Sequence, residues 1–142
     1  MIIVRQKDAP VFPASPPSKK ITKIMMDPVL GSKHIATGFT IYPVGEKGAP
    51  HAHTGEETIF ILKGRAKVSS SREEQILEAG DIVYLPPNET HTLANSGGED
   101  LQFLWVYTPP GDEKSIRERV VEETLKATKN YVKSAQFTKS LT

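Results

Sequence analysis

Residues 45–64 read GEKGAPHAHTGEETIFILKG and residues 80–95 read GDIVYLPPNETHTLAN, and these two stretches decide the fold. In the first, His51 and His53 are separated by one residue. Side chains at i and i+2 of an extended chain share a face, so both imidazoles can reach one ion. Glu56 and Glu57 follow, opening a mostly apolar run that Gly64 stops. In the second stretch, an apolar run meets Pro86-Pro87-Asn88, and His91 opens the next segment. Three of the four histidines in the chain thus lie in these stretches, beside a carboxylate. Three imidazoles and one carboxylate form a mixed nitrogen and oxygen set. Such a set suits Zn, Mn, Fe, Ni, Co or Cu better than Ca or Mg. Four protein ligands on a six-coordinate ion leave two positions for water or substrate, as a reactive metal requires.

Working outward, residues 21–26, 35–42, 58–62, 66–70, 75–77, 82–85, 91–95 and 101–108 read as strands, rich in β-branched and aromatic residues. Ser71-Arg72-Glu73 reads as a hairpin turn, and Ser96-Gly97-Gly98 and Pro109-Pro110-Gly111 close later strands. Short strands at this spacing argue for an all-β sandwich or barrel over residues 20–110. Residues 1–19 hold Pro10, Pro13, Pro16 and Pro17 and read as an extended arm. After Gly111 the pattern turns helical. Ile116, Val120, Leu125, Thr128 and Val132 recur at helical spacing, with Asp112 as the expected N-cap, so a helix is expected over 112–134. Acids early and lysines late in that span suit the helix dipole.

Composition narrows the function classes. The chain has 142 residues, 37% hydrophobic and 25% charged, which predicts one domain over 1–142. Its net charge of +1 marks no nucleic-acid or membrane surface. It has no cysteine, which excludes disulfides and thiolate metal sites. The opening apolar residues Met1 to Val4 turn charged at Arg5, too short a run for a signal peptide, so a cytoplasmic location is expected.

The two stretches resemble the motifs of the cupin superfamily. The first motif is G-x5-H-x-H-x3-E-x6-G, met by Gly45, His51, His53, Glu57 and Gly64. The second is G-x5-P-x-G-x2-H-x3-N, met by Gly80, Pro86, His91 and Asn95. Asn88 stands where the family has glycine, and asparagine is the next most tolerant residue at positive φ. The resemblance covers about a third of the chain. It implies a double-stranded β-helix, or jelly-roll barrel, with one divalent metal held by His51, His53, Glu57 and His91, and a habit of dimerising. Spacing to Gly64 selects Glu57 over Glu56. The family's activities are broad, from dioxygenases, decarboxylases, isomerases, cyclases and lyases to sugar-binding and storage proteins, so the fold alone chooses no reaction.

Strand parity adds a pocket wall. If Glu57 points inward so do Ile59 and Ile61, and if His91 points inward so does Leu93. An aliphatic wall of Ile59, Ile61 and Leu93 beside the metal suggests a small organic substrate bound through its oxygens. Phe103, Trp105 and Tyr107 share one face of the last strand and Leu104 and Val106 the other, a pattern that reads as burial on both faces. His34 lies outside both motifs and reads as a surface or structural histidine, and Asn95 as a backbone hydrogen bonder. No catalytic residue is assigned. The expected activity is that of a metal-dependent enzyme, a Lewis acid or a dioxygenase. Its alternative is a binder of a small acid or sugar without turnover.

Overall fold

The computed structural model of the chain describes residues 1–119. A 3-10 turn at Gln6–Asp8 leads into β1 (Phe12–Pro13), followed by β2 (Ile21–Met26), β3 (Ala36–Tyr42) and β4 (Glu56–Lys63). Then come β5 (Arg65–Ser70), β6 (Glu74–Glu78), β7 (Ile82–Leu85), β8 (His91–Asn95), β9 (Leu101–Thr108) and the short helix α1 (Lys114–Arg117). One sheet runs β1-β2-β3-β9-β4-β7 and the other β6-β5-β8, with antiparallel pairing throughout. The last strand, β9, lies between β3 and β4, so the chain winds back through its own sheet. This is the double-stranded β-helix.

The barrel interior follows from side-chain alternation. On β9, Leu101, Phe103, Trp105 and Tyr107 are buried, while Gln102, Leu104 and Val106 are half-exposed. Burial on both faces of this strand is therefore corrected: the outer face of β9 is only partly covered. Trp105 fits because its neighbour on β3 is Gly38, where a Cβ would lie 2.5 Å from the indole and 2.2 Å from the Lys23 carbonyl. The buried indole N–H donates to Thr40 Oγ1 at 3.0 Å, and Thr40 pairs with Thr22 at 3.0 Å, so no polar group is stranded there. Gly64 at φ +84 turns β4 into β5, with the Asp100 carbonyl 2.7 Å from where a side chain would begin.

The N-terminal arm lies on the barrel. Phe12 is fully buried and pairs with Thr22. Ser18 Oγ and the Lys19 N–H donate to the Glu46 carboxylate, and Lys20 Nζ donates to the Lys47 carbonyl. The arm thus ties down the loop that carries His51 and His53.

The C-terminal expectation needs correction. Among the described residues the helix covers only Lys114–Arg117, and residues 120–134 of the expected span lie outside those described. Asp112 is not the N-cap. Glu113 holds that position without a side-chain cap bond, its carboxylate accepting the Gly111 N–H at 2.6 Å, and the Asp112 carboxylate turns toward His53 instead. Ile116 is buried against the core, and Arg117 forks onto Asp27 through two N–H···O bonds. No described helix is long and apolar enough to cross a membrane.

Candidate metal centre

His51 and His53 lie on the connection between β3 and β4, Glu57 on β4 and His91 on β8. The site therefore draws on both sheets. The His51–His53 stretch is not a full strand. His51 forms an isolated bridge with His91, each backbone N–H donating to the other's carbonyl at 3.0 and 2.9 Å. This bridge brings the first motif beside the second. The turn before His91 holds Asn88 at φ 64, so asparagine supplies the left-handed conformation that the sequence comparison demanded of it.

The ligand atoms of His51, His53, Glu57 and His91 all lie within 4.8 Å of one another, and the group could hold a metal ion. Glu57 Oε2 stands 3.0 Å from His53 Nε2 and 3.2 Å from His91 Nε2. Each is an ion pair only where the imidazole is protonated. Each of the three atoms is buried without a hydrogen-bond partner among the described residues. Buried polar atoms are rarely left so, and here they converge on one point. The other ring nitrogen of each histidine faces an oxygen. His51 Nδ1 meets the Ala49 carbonyl and His91 Nδ1 the Glu89 carbonyl, both at 2.8 Å, while His53 Nδ1 lies 3.3 Å from Asp112 Oδ1. An acceptor at Nδ1 places the proton there and leaves Nε2 as a lone pair for a metal. The donor set and its supports thus fit a borderline divalent metal.

Charge in the site follows from the same packing. Burial alone would push the Glu57 carboxyl up, but the two imidazoles against it outweigh this and hold it below the usual carboxylate range. Contact with Glu57 raises the basicity of His53. Burial lowers that of His51.

A cavity of about 520 Å³ opens over this cluster. Ile59 and Leu93 line it, whereas Ile61 is fully buried in the core and stands outside the lining. Placing Ile61 in the wall is therefore corrected: it shares the inward face of Glu57 but sits too deep in the barrel. Sequence reasoning left the rest of the lining unassigned. Tyr42 and Thr40 come from β3, and Phe103, Trp105 and Tyr107 from β9. Lys20 comes from the end of the arm and Asp112, Ser115 and Arg119 from the segment after the barrel. Alternation of Phe103, Trp105 and Tyr107 was visible, but without a ligand on β9 nothing in the sequence tied that face to the site. Tyr107 tilts over His53, ring centroids 4.9 Å apart. Burial, with the Glu57 charge behind it, pushes the Tyr42 hydroxyl up to about 12, so this group carries its proton at neutral pH.

Glu56 points away. It is exposed, and its carboxylate accepts the Tyr84 hydroxyl on the outer surface at 2.6 Å. His34 is exposed and is not part of the cluster. The Asn95 amide donates to the Tyr42 and Glu99 carbonyls, and its oxygen accepts the Gly97 N–H, so it organises backbone as its spacing implied.

The family model described as a cupin domain matches residues 38–107. An uncharacterised protein of Methanocaldococcus jannaschii is 38% identical over 71 residues, 49% of this chain and 57% of that protein. An oxalate-binding protein of Thermotoga maritima is 34% identical over 65 residues, 45% of this chain and 54% of that protein. The matches span a little over half the length of these curated relatives. Among solved structures, KdgF from a Halomonas species superposes with a TM-score of 0.69 at 17% identity, covering 79% of this chain and 98% of that one.

Proposed function

We propose that this chain, which belongs to the cupin superfamily, is a metal-dependent enzyme acting on a small oxygen-bearing organic acid. The observation that carries this reading is the convergence of three orphaned, buried ligand atoms at the base of a cavity of about 520 Å³. When bound there, a divalent metal supplies Lewis acidity to an oxygen of the substrate. The chain's own groups supply the rest. Lys20 and Arg119 give the lining positive charge for a carboxylate. Lys20 is held in place by the Lys47 carbonyl and lies 5.0 Å from the centroid of the Tyr42 ring. Ile59, Leu93 and Phe103 take the apolar body of the substrate. Tyr42, protonated at neutral pH and in the cavity lining, offers a hydrogen bond to a developing oxyanion.

A second reading is capture of a small dicarboxylate without turnover. It is favoured by the relative whose name is oxalate-binding protein. We also assign the protein to the cytoplasm as a homodimer. The outer face of β4 and β7, where Phe60, Leu62, Ile82 and Tyr84 are exposed, is the surface proposed for the second copy.

Elemental analysis of protein purified without chelator, followed by oxygen-electrode and product assays over a panel of small hydroxy, keto and dicarboxylic acids, tests these readings. The expected result is one equivalent of transition metal per chain and turnover without oxygen uptake. Iron or copper with oxygen uptake moves the assignment to a dioxygenase. Tight binding without turnover across the panel moves it to the binder. A protein that takes up no transition metal refutes both enzyme readings.

A further inference from the structure

Two of the three histidines secure Nδ1 on the backbone carbonyl two residues earlier: His51 on Ala49 and His91 on Glu89. For His53 the corresponding carbonyl belongs to His51; it accepts the His91 N–H at 2.9 Å in the bridge that joins the two motifs, and among the described residues it takes no bond from His53 Nδ1. His53 therefore lacks the local support that the other two have. The group at its Nδ1 is instead the carboxylate of Asp112, 3.3 Å away and 59 positions further along the chain.

We infer that Asp112 is a positioning residue for His53, holding its ring and its tautomer so that Nε2 points at the metal centre from the far side. This rests on the metal reading above and adds to it a residue outside both cupin motifs. Three observations carry it. Asp112 contacts Nδ1 while Glu57 contacts Nε2, so the two carboxylates lie on opposite sides of the ring, and Asp112 is outside the ligand cluster. The position expected to cap α1 with Asp112 is filled by Glu113, so the carboxylate is not engaged by the helix. And the segment is pinned on both sides of Asp112. Glu113 accepts the Gly111 N–H, the Ser115 hydroxyl donates to the Asp112 carbonyl, Ile116 is buried, and Arg117 forks onto Asp27. A carboxylate that accepts from Nδ1–H also raises the basicity of Nε2, which strengthens it as a ligand.

The test uses the full chain and zinc alone. Zn(II) affinity is measured by competition with a chromogenic chelator for the parent, Asp112→Ala and Asp112→Asn. The Nδ1–H resonances of His51, His53 and His91 are followed by NMR in the zinc-loaded proteins. Asp112→Ala is expected to weaken zinc binding ten- to hundredfold, the usual cost of losing such a supporting group. It should also broaden or shift the His53 Nδ1–H signal while leaving that of His91 in place. Asp112→Asn keeps a carbonyl oxygen and should recover most of both. A merely structural role of the segment would not single out His53. Zinc affinity in Asp112→Ala within twofold of the parent, with the His53 signal unmoved, overturns the inference while leaving the metal reading intact. A parent chain that takes up no zinc sinks both.

Discussion

Replacing Arg117 by Met should cost this protein about 3–5 kcal/mol, because it strands a charge rather than because it deletes a contact. The Asp27 side chain is 1% exposed and that of Arg117 15%, so the pair is far from the surface regime in which an ion pair contributes less than about 1 kcal/mol. With Arg117 gone, the Asp27 side chain keeps, among the described residues, the Leu30 N–H at 3.3 Å. Leaving a buried carboxylate without its cation typically costs about 3–5 kcal/mol. Methionine retains most of the arginine stem, which limits the packing loss near Phe12, whose ring centroid is 5.9 Å from the guanidinium carbon. For a chain of 142 residues, unfolding entropy near the midpoint is about 0.3 kcal/mol per kelvin, so the expected fall in Tm is roughly 10–17 °C. The assay is thermal and urea unfolding by circular dichroism at pH 7 with chelator present, so that metal linkage does not enter. The double variant Asp27→Leu/Arg117→Met removes both charges and should recover most of the loss, since a well-packed apolar pair replaces a buried ion pair at little cost. A single-variant loss below about 1 kcal/mol, or a double variant no more stable than the single, refutes the claim that this fork pins the C-terminal segment.

His91→Ala removes one of four candidate ligands and should lower metal affinity at least a hundredfold, read as loss of the bound equivalent on gel filtration with elemental analysis. Glu57→Gln should likewise release the metal, whereas Glu56→Gln, altering an exposed carboxylate on Tyr84, should leave stoichiometry unchanged. Metal affinity should fall as pH drops, because only neutral imidazole ligates. His53, whose basicity Glu57 raises, takes the first proton, and His51, lowered by burial, takes one only at more acidic pH. Chelator competition from pH 8 to 5 should therefore show a loss that begins above the ordinary imidazole value of about 6.5 and steepens at lower pH as His51 follows, and a flat profile contradicts the imidazole ligands. Gly38→Ala drives a methyl into the Lys23 carbonyl and the Trp105 ring, and should destabilise the barrel by about 3 kcal/mol in urea unfolding.

What the sequence disclosed divides along chain separation. The motif spacings put His51, His53 and Glu57 within reach of one ion because they lie within seven consecutive residues, where extended geometry and parity decide which side chains converge. Spacing to Gly64 selected Glu57 over Glu56, and the barrel agrees: one faces the cluster and the other the Tyr84 hydroxyl. Parity could not say how deep an inward residue sits. Ile61 shares a face with Ile59 but lies two positions further along β4, where it is fully buried in the core while Ile59 lines the cavity.

The C-terminal segment exposes the stronger limit. Asp112 follows a glycine at the edge of a helical pattern, and local capping preferences claim it for the helix. Its actual partner is set by register far away. β9 pairs with both β3 and β4, which delivers the chain after Thr108 to the end of the barrel where His53 stands. The carbonyl two residues before His53, that of His51, meanwhile accepts the His91 N–H in the bridge between the motifs. A competition between a local cap and a distant imidazole cannot be weighed from spacing, because only one competitor is near in sequence. The ligands are thus legible in the motifs, while the groups that orient them and shape what may bind beside them are written in long-range pairing.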